Sequence, residues 1–482
     1  MKNFYKIIFL TLILSSYSSA QKVTWQKYYD YSGRADLGND VVQTFEGGYI
    51  IAGSGTNDNS KRHILLIKID YLGIVQWKKL IGESMAFDRA YCIQQTPDSG
   101  FVITGDADHT MLLIKVDKNG NIEWRKDFTE TNANGQGYSL QLTNDGGIIC
   151  SGHVFFPNLV KTFPFIVKTD MNGNLQWKKY YQDLLDISAY DIDESNNYEY
   201  YFCGADIVRK IDETGNTLWT KSFTNNLGFL SLRSLIYEQP NIIYAGGVSD
   251  SSGLEAIHLI KLDSGSNIFW EKRFLDSEHV SAGGISICKS FNSIVMTGEI
   301  LGKYGDVPFV KVSDSGELII YNVITSSIKS EGRGNSIKLS SDKGYIITGF
   351  TTFGGSGFAG NVLAIKTDSN GTAPQLVNIK NNVENIISFT LYQNYPNPFN
   401  PSTTIKFELK NNSYVKLRIY DISGKEIITL VNGFKSGGYY SEIFDASWLS
   451  SGIYFYSLEL IEFKNTKFIS NSKQFRKMIF LK

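Results

Sequence analysis

One phrase returns seven times along this chain, and a sequence that repeats itself at this interval can fold in few ways. The copies are ILLIKIDYLGIVQWKKL, MLLIKVDKNGNIEWRKDF, FIVKTDMNGNLQWKKY, DIVRKIDETGNTLWTKSF and HLIKLDSGSNIFWEKRF, with weaker ones at FVKVSDSGELIIYNV and AIKTDSNGTAPQL. Their anchors are Asp70, Asp117, Asp170, Asp212, Asp263, Ser313 and Asp368, which sets a period of 42 to 55 residues. Periods of this size mark supersecondary units that stack in a line or around an axis. In the first unit four short apolar or alternating runs, Asp40 to Thr44, Tyr49 to Gly53, Ile64 to Ile69 and Val75 to Leu80, are separated by Gly and Asp turns. Each unit therefore reads as a four-stranded antiparallel meander.

Four-stranded meanders at this length are the blades of a β-propeller. Trp77, Trp124, Trp177, Trp219 and Trp270 stand seven residues beyond their anchors; Ile320 takes that place in the sixth unit and Gln375 in the seventh. The strand missing from the seventh unit has a counterpart at the other end, VTWQKYY around Trp25. The expected fold is all-β, a seven-bladed β-propeller closed by an N-terminal outer strand, since closure removes an exposed edge. A linear solenoid would use such end pieces as caps instead.

The repeated side chains read as architecture. The Trp residues fill the wedge between neighbouring units. The Asp opening each D-x-x-G turn accepts backbone hydrogen bonds while Gly supplies positive φ; the loop is too short for a twelve-residue calcium motif. The Lys two residues before each anchor is expected to solvate its tip and cover apolar surface with its stem. Cys92, Cys150, Cys203 and Cys288 lie far apart with no metal-ligand spacing, and read as small buried hydrophobes.

Chemistry is hard to find. The histidines at 63, 109, 153, 258 and 279 form no paired-ligand spacing, and nucleophile-elbow, P-loop and dinucleotide motifs are absent. No catalytic, metal or cofactor residue is assigned, and no cofactor is expected. Asp88, Asp186 and Glu331 are the carboxylates placed to act as a pair at a channel mouth. The third unit inserts HVFFPNLVKTFPF, whose Phe155, Phe156, Phe163 and Phe165 form a candidate ligand loop. The seventh inserts the Gly-rich TTFGGSGFAGN.

The ends bear on location. Residues 1–20 combine Lys2 and Lys6, an apolar core from Ile7 to Leu14 and Ser18-Ser19-Ala20, the pattern of a secretory signal peptide. No later stretch has the length and apolarity of a transmembrane span. With 47 Lys plus Arg against 48 Asp plus Glu, the chain exerts no long-range pull on nucleic acid or anionic lipid. The reading is 21–375 propeller, 376–390 linker and 391–482 a small immunoglobulin-like β-sandwich, built from VKLRIYD, EIITLV, GYYSEIFDA, GIYFYSLEL and KMIFLK.

Two resemblances follow. The strand-and-Trp phrases resemble the repeats of quinoprotein-dehydrogenase-like and related secreted bacterial propellers, in blade architecture only; their quinone and calcium ligands have no counterpart here. Residues 391–482 look like the type A C-terminal sorting domain of type IX secretion substrates of the Bacteroidetes. The match rests on Tyr395-Pro396-Asn397-Pro398-Phe399-Asn400-Pro401, Tyr420-Asp421, Gly424, Asp445, Leu449, Ser451-Gly452-Ile453-Tyr454 and Lys477-Met478-Ile479-Phe480-Leu481-Lys482. The likeness implies export by the signal peptide, then passage through outer-membrane secretion machinery to the surface or medium. It points to Gly452, Lys477 and Lys482 for targeting, and to Pro396, Pro398 and Asp445 for the fold. The hairpin at 462–475 is longer than the family's common pattern. The expected function is a monomeric surface or secreted binding or scaffold protein for a protein or glycan. The alternative is a polysaccharide-active hydrolase or lyase.

Overall fold

A computed structural model describes residues 23–31, 34–56, 61–82, 88–223, 229–251, 254–275, 281–301, 306–324, 332–352, 360–374, 389–409, 413–422, 424–464 and 467–482. The signal segment, Gln375, Glu331 and most of the seventh unit's insertion lie outside them. The described residues are essentially all-β, arranged as several four-stranded antiparallel sheets, and no sheet closes on itself. Two compact units divide the chain, 1–378, termed upper by chain order, and 379–482, termed lower.

In the first unit the chain lays down sheets in sequence. The first is Leu37–Gln43, Tyr49–Thr56, Arg62–Ile69 and Val75–Ile81, which matches the four runs expected there. Five more follow the same order. The seventh combines Gly332–Leu339, Tyr345–Thr351 and Asn361–Thr367 with Trp25–Tyr29, which pairs antiparallel to Asn361–Thr367. The second and third strands are buried almost throughout, because apolar side chains on both faces meet neighbouring sheets.

Each indole packs on the following sheet. Trp25 donates through Nε1 to Tyr71 O at 3.0 Å, Trp177 to Glu213 O at 2.9 Å, Trp219 to Ser264 O at 3.0 Å and Trp270 to Asp314 O at 2.9 Å. The receiving turn must be thin. A Cβ built on Gly73, Gly120, Gly173, Gly215 or Gly316 would come within 2.8 to 3.0 Å of an indole, and all five have positive φ. Where Ile320 replaces the Trp, Phe309 covers Gly371 instead. The turn Asp carboxylates are occupied as expected: Asp117 Oδ1 accepts from the amides of Asn119 and Asn121, both at 2.8 Å.

The lysines correct the sequence reading. Lys68, Lys115, Lys168 and Lys366 are buried, not solvated at their tips. The third strand is covered on both sides, so each ammonium turns to a carboxylate. Three of the four find an Asp on the hairpin joining the first two strands: Lys115 to Asp98 at 2.9 Å, Lys168 to Asp145 at 2.8 Å and Lys366 to Asp342 at 2.8 Å. In Lys68 the partner is Glu46, at 3.4 Å. Partial burial opposes the charge on Asp145. Hydrogen bonds from Lys168, Thr143 and the Gly147 amide outweigh it and hold the carboxyl below its ordinary range. All four cysteines are buried and free.

A second set of bonds joins the first strands of successive sheets. Ile93 N donates to Asp40 at 3.0 Å, Gln94 Nε2 to Leu140 O at 2.9 Å, Ser139 Oγ to Asp191 at 2.6 Å and Leu235 N to Asp191 at 2.8 Å. Ile287 N donates to Ser234 Oγ and Ile337 N to Ser286 Oγ, each at 3.3 Å, and Ser336 Oγ returns to Asp40 at 2.6 Å.

The second unit holds two sheets. One is Phe389–Leu391, Ser402–Leu409 and Gly438–Asp445; the other is Glu426–Lys435, Ser413–Tyr420, Gly452–Lys464 and Lys467–Phe480. They share one core, which includes Phe407, Phe444, Leu417, Tyr456 and Phe480. The last hairpin is long, with strands of 13 and 14 residues.

Trp25 is 7% exposed, 6.3 Å from the Tyr49 ring, and bonded to Tyr71. Trp25→Ala is expected to cost about 3–5 kcal/mol of unfolding free energy, as for a core aromatic. Denaturant titration checks this, and a loss under about 1 kcal/mol would mark Trp25–Tyr29 as a loosely attached terminal strand.

Candidate functional site

Every first strand of the upper unit carries one extra residue at the same place. Register shifts fall between Gly38 and Asp40, Ala90 and Cys92, Gly137 and Ser139, Leu232 and Ser234, Gly284 and Ser286, and Gly334 and Ser336. In the fourth sheet Tyr190 and Asp191 both face Cys203. A bulge re-aims the extra side chain out of the pleat. It also draws the bulged backbone against the second strand. A Cβ on Gly53, Gly105, Gly152, Gly247 or Gly349 would sit 1.8 to 2.0 Å from a first-strand carbonyl oxygen, and one on Gly204 1.8 Å from Ser188 O, just ahead of the fourth sheet's first strand. That is why the phrases IAG, ITG, CSG, FCG and AGG recur in the second strands.

The re-aimed residues are Asn39, Tyr91, Tyr138, Tyr190, Arg233, Ile285 and Asn335. Asn39 donates to Ala90 O at 2.6 Å and Asn335 to Gly38 O at 2.8 Å, so both bind backbone of the following sheet. The three tyrosines instead meet one another. Tyr91 and Tyr138 lie edge to face at 5.3 Å, and Tyr138 and Tyr190 are tilted at 5.2 Å. Arg233 caps the Tyr190 end at 5.3 Å and Arg89 the Tyr91 end at 5.5 Å. Arg89 is also held by Asp106 through two bonds of 3.0 and 3.1 Å. Burial pushes the Tyr91 phenol up to about 12, with the Asp106 charge adding to it, so the hydroxyl stays protonated.

His153 closes the arc from the second strand of the third sheet, 5.5 Å from Tyr138. Burial lowers its pKa to about 4, and its buried Nδ1 has no hydrogen-bond partner among the described residues. Below this level along the same strands, Asp193 is pushed up to about 7, chiefly by burial and further by the neighbouring Asp191 charge. Lys338, 3.9 Å from Asp40, has its pKa raised first by that carboxylate.

The residues nominated from sequence fall elsewhere. The third-unit insertion is a prolonged hairpin, Gly147–Phe156 and Lys161–Asp170, and not a loop. Phe165 and Phe163 are buried in a core cluster and offer no face to a ligand, while Phe155 and Phe156 are half-buried. Phe156 packs on Phe163 and Tyr180, at 6.0 and 5.4 Å. Only the tip, with Leu159 and Val160, is exposed. Asp88 is buried at the start of the second sheet's first strand, whereas Asp186 is exposed beside Lys161 of the third sheet. The structure does not bring these two together.

In the lower unit the Pro-rich segment holds the end of the chain. Phe399 N donates to Ile479 O and Leu481 N to Phe399 O, both at 3.0 Å, and Asn397 Oδ1 accepts from Ile479 N at 2.8 Å. Phe399 packs at a tilt against Phe480, the ring centroids 5.2 Å apart. Gly452 pairs with Phe480; a Cβ there would make only ordinary contacts, the nearest at 3.8 Å. Lys477 is exposed, and its carbonyl accepts from Gln393 at 2.8 Å. Lys482 donates its amide to Ser451 Oγ at 2.8 Å. Asp445 caps the Ser447 amide at 2.8 Å.

Residues 393–471 match the family of the secretion system C-terminal sorting domain. The lower unit carries a secretion sorting domain. This sorting domain makes the protein a cargo of the type IX outer-membrane machinery, delivered to the cell surface or the extracellular space. No curated protein matches the chain. Among solved structures it is similar to a protein of unknown function from Bacteroides caccae, at 12% identity over 57% of this chain and 92% of that one, TM-score 0.40. The Pan2 WD40 domain of Neurospora crassa is 8% identical over 73% of this chain and 98% of that one, TM-score 0.46. A puromycin-hydrolyzing peptidase of Mycobacterium tuberculosis is 10% identical over 79% and 60%, TM-score 0.45. Likeness this distant carries no argument about function.

The histidine yields a pH dependence. Between about 6.5 and 4 an unfolded chain binds a proton that the folded His153 refuses. The stability allowed by the neutral ring is whole above pH 6.5 and is lost as pH falls through that window. Urea titrations at pH 7 and pH 4.5 should therefore show a smaller acid loss for His153→Phe than for the parent. Equal losses would contradict the buried neutral ring.

Proposed function

We propose that residues 21–375 form a seven-bladed β-propeller closed by Trp25–Tyr29, joined by a linker at 376–390 to an immunoglobulin-like β-sandwich at 391–482. We further propose that the protein serves outside the cell as a binding or scaffold protein. The propeller reading is supported by two sets of contacts that run from sheet to sheet and return to the first. Ser336 reaches Asp40, and the Trp25 indole rests on the Tyr71–Gly73 turn.

The binding role is supported by the tyrosine arc. Six of the seven bulge side chains are polar or aromatic, and only the asparagines are spent on neighbouring backbone. Half-buried aromatics beside an exposed Arg are the composition of a recognition surface. Delivery belongs to the sorting domain, whose targeting residues Gly452, Lys477 and Lys482 gather where the last two strands end: Gly452 pairs with Phe480, and Lys482 bonds Ser451.

Deleting residues 391–482 is expected to leave the propeller folded and halted in the periplasm, whereas the full chain reaches the surface. Protease shaving of intact cells, with fractionation, checks this. Surface delivery of the truncated chain at the level of the full one would overturn the division of labour.

A further inference from the structure

We propose that the arc of Tyr91, Tyr138 and Tyr190, bounded by Arg89 and Arg233, binds an oligosaccharide carrying carboxylate groups. The proposal rests on the reading of the upper unit as an extracellular binding domain, and names its ligand class.

Three phenol rings follow one another from sheet to sheet, Tyr91 edge-on to Tyr138 at 5.3 Å and Tyr138 tilted by 39° against Tyr190 at 5.2 Å. Each step is about the length of one pyranose ring. A pyranose offers C–H faces to aromatic rings and hydroxyls at its rim, and a tyrosine answers both, with a ring and a protonated hydroxyl. The two arginines are not equivalent. Arg89 is committed to Asp106, whereas Arg233 is exposed and has no ion-pair partner among the described residues. One free guanidinium at the end of an aromatic track selects a planar anion, and a carboxylate on the sugar can take it bidentately.

The arc itself is aromatic and cationic.

The test uses the full mature chain, trigalacturonic acid and its methyl ester, read by isothermal titration calorimetry. The acid is expected to bind at least about tenfold more tightly than the ester, as a charged hydrogen bond requires. Arg233→Gln should erase that difference while keeping the parental unfolding midpoint, since Arg233 is exposed. Tyr190→Phe should retain acid selectivity, because the ring and the guanidinium remain. Equal affinity for acid and ester, or acid selectivity untouched by Arg233→Gln, would overturn the proposal. So would a peptide that binds the arc while neither sugar does. A different ligand bound equally by parent and Arg233→Gln also overturns it, and leaves the broader binding role standing.

Discussion

An indole resting on the glycine of a neighbouring turn is the contact on which the upper unit depends. A four-stranded meander alone buries little; its outer strand needs something to cover. Placing a Trp there, and a positive-φ glycine where the next sheet turns, lets two sheets approach without a Cβ between them. The Asp that opens the same turn satisfies its amides, so the receiving surface is braced by its own hydrogen bonds. One short phrase thus supplies both halves of the joint, and repeating the phrase repeats the joint.

The first strands do different work. A bulge in each, made possible by a glycine in the second strand, frees one side chain per sheet from packing. The residues just beyond the bulges, Asp40, Ser139, Asp191, Ser234, Ser286 and Ser336, tie sheet to sheet. The bulge residues are then available to vary. Asparagines on one side bind backbone, whereas on the other the tyrosines pack on one another and on an arginine. Sheet-to-sheet bonding and the bulge side chains occupy adjacent positions of one strand.

Much of this was legible in the sequence, for reasons that can be named. The period, the Trp spacing and the displaced VTWQKYY segment are local or strictly repeated signals, and the strands fall where they were expected. The sorting domain was legible because several short phrases match in order. The lysines were misread, because sequence shows a charge but not the acid that a different hairpin brings beside it. The phenylalanine insertion was misread because a long hairpin and a loop have the same composition. The tyrosine arc was invisible: its members lie 47, 52 and 43 residues apart in sequence, and they become neighbours only when sheets are set side by side. The recurring glycine after a small residue in each second strand was the available clue.

The central claim is that the first described strand completes the last sheet of the upper unit. Native-state hydrogen exchange, followed by mass spectrometry on peptides spanning 25–29 and 361–367, addresses it directly. The account predicts that both segments exchange together and only with unfolding of the upper unit, since Trp25–Tyr29 pairs along Asn361–Thr367. Exchange of 25–29 at the rate of a free terminal segment, while 361–367 stays protected, would contradict it.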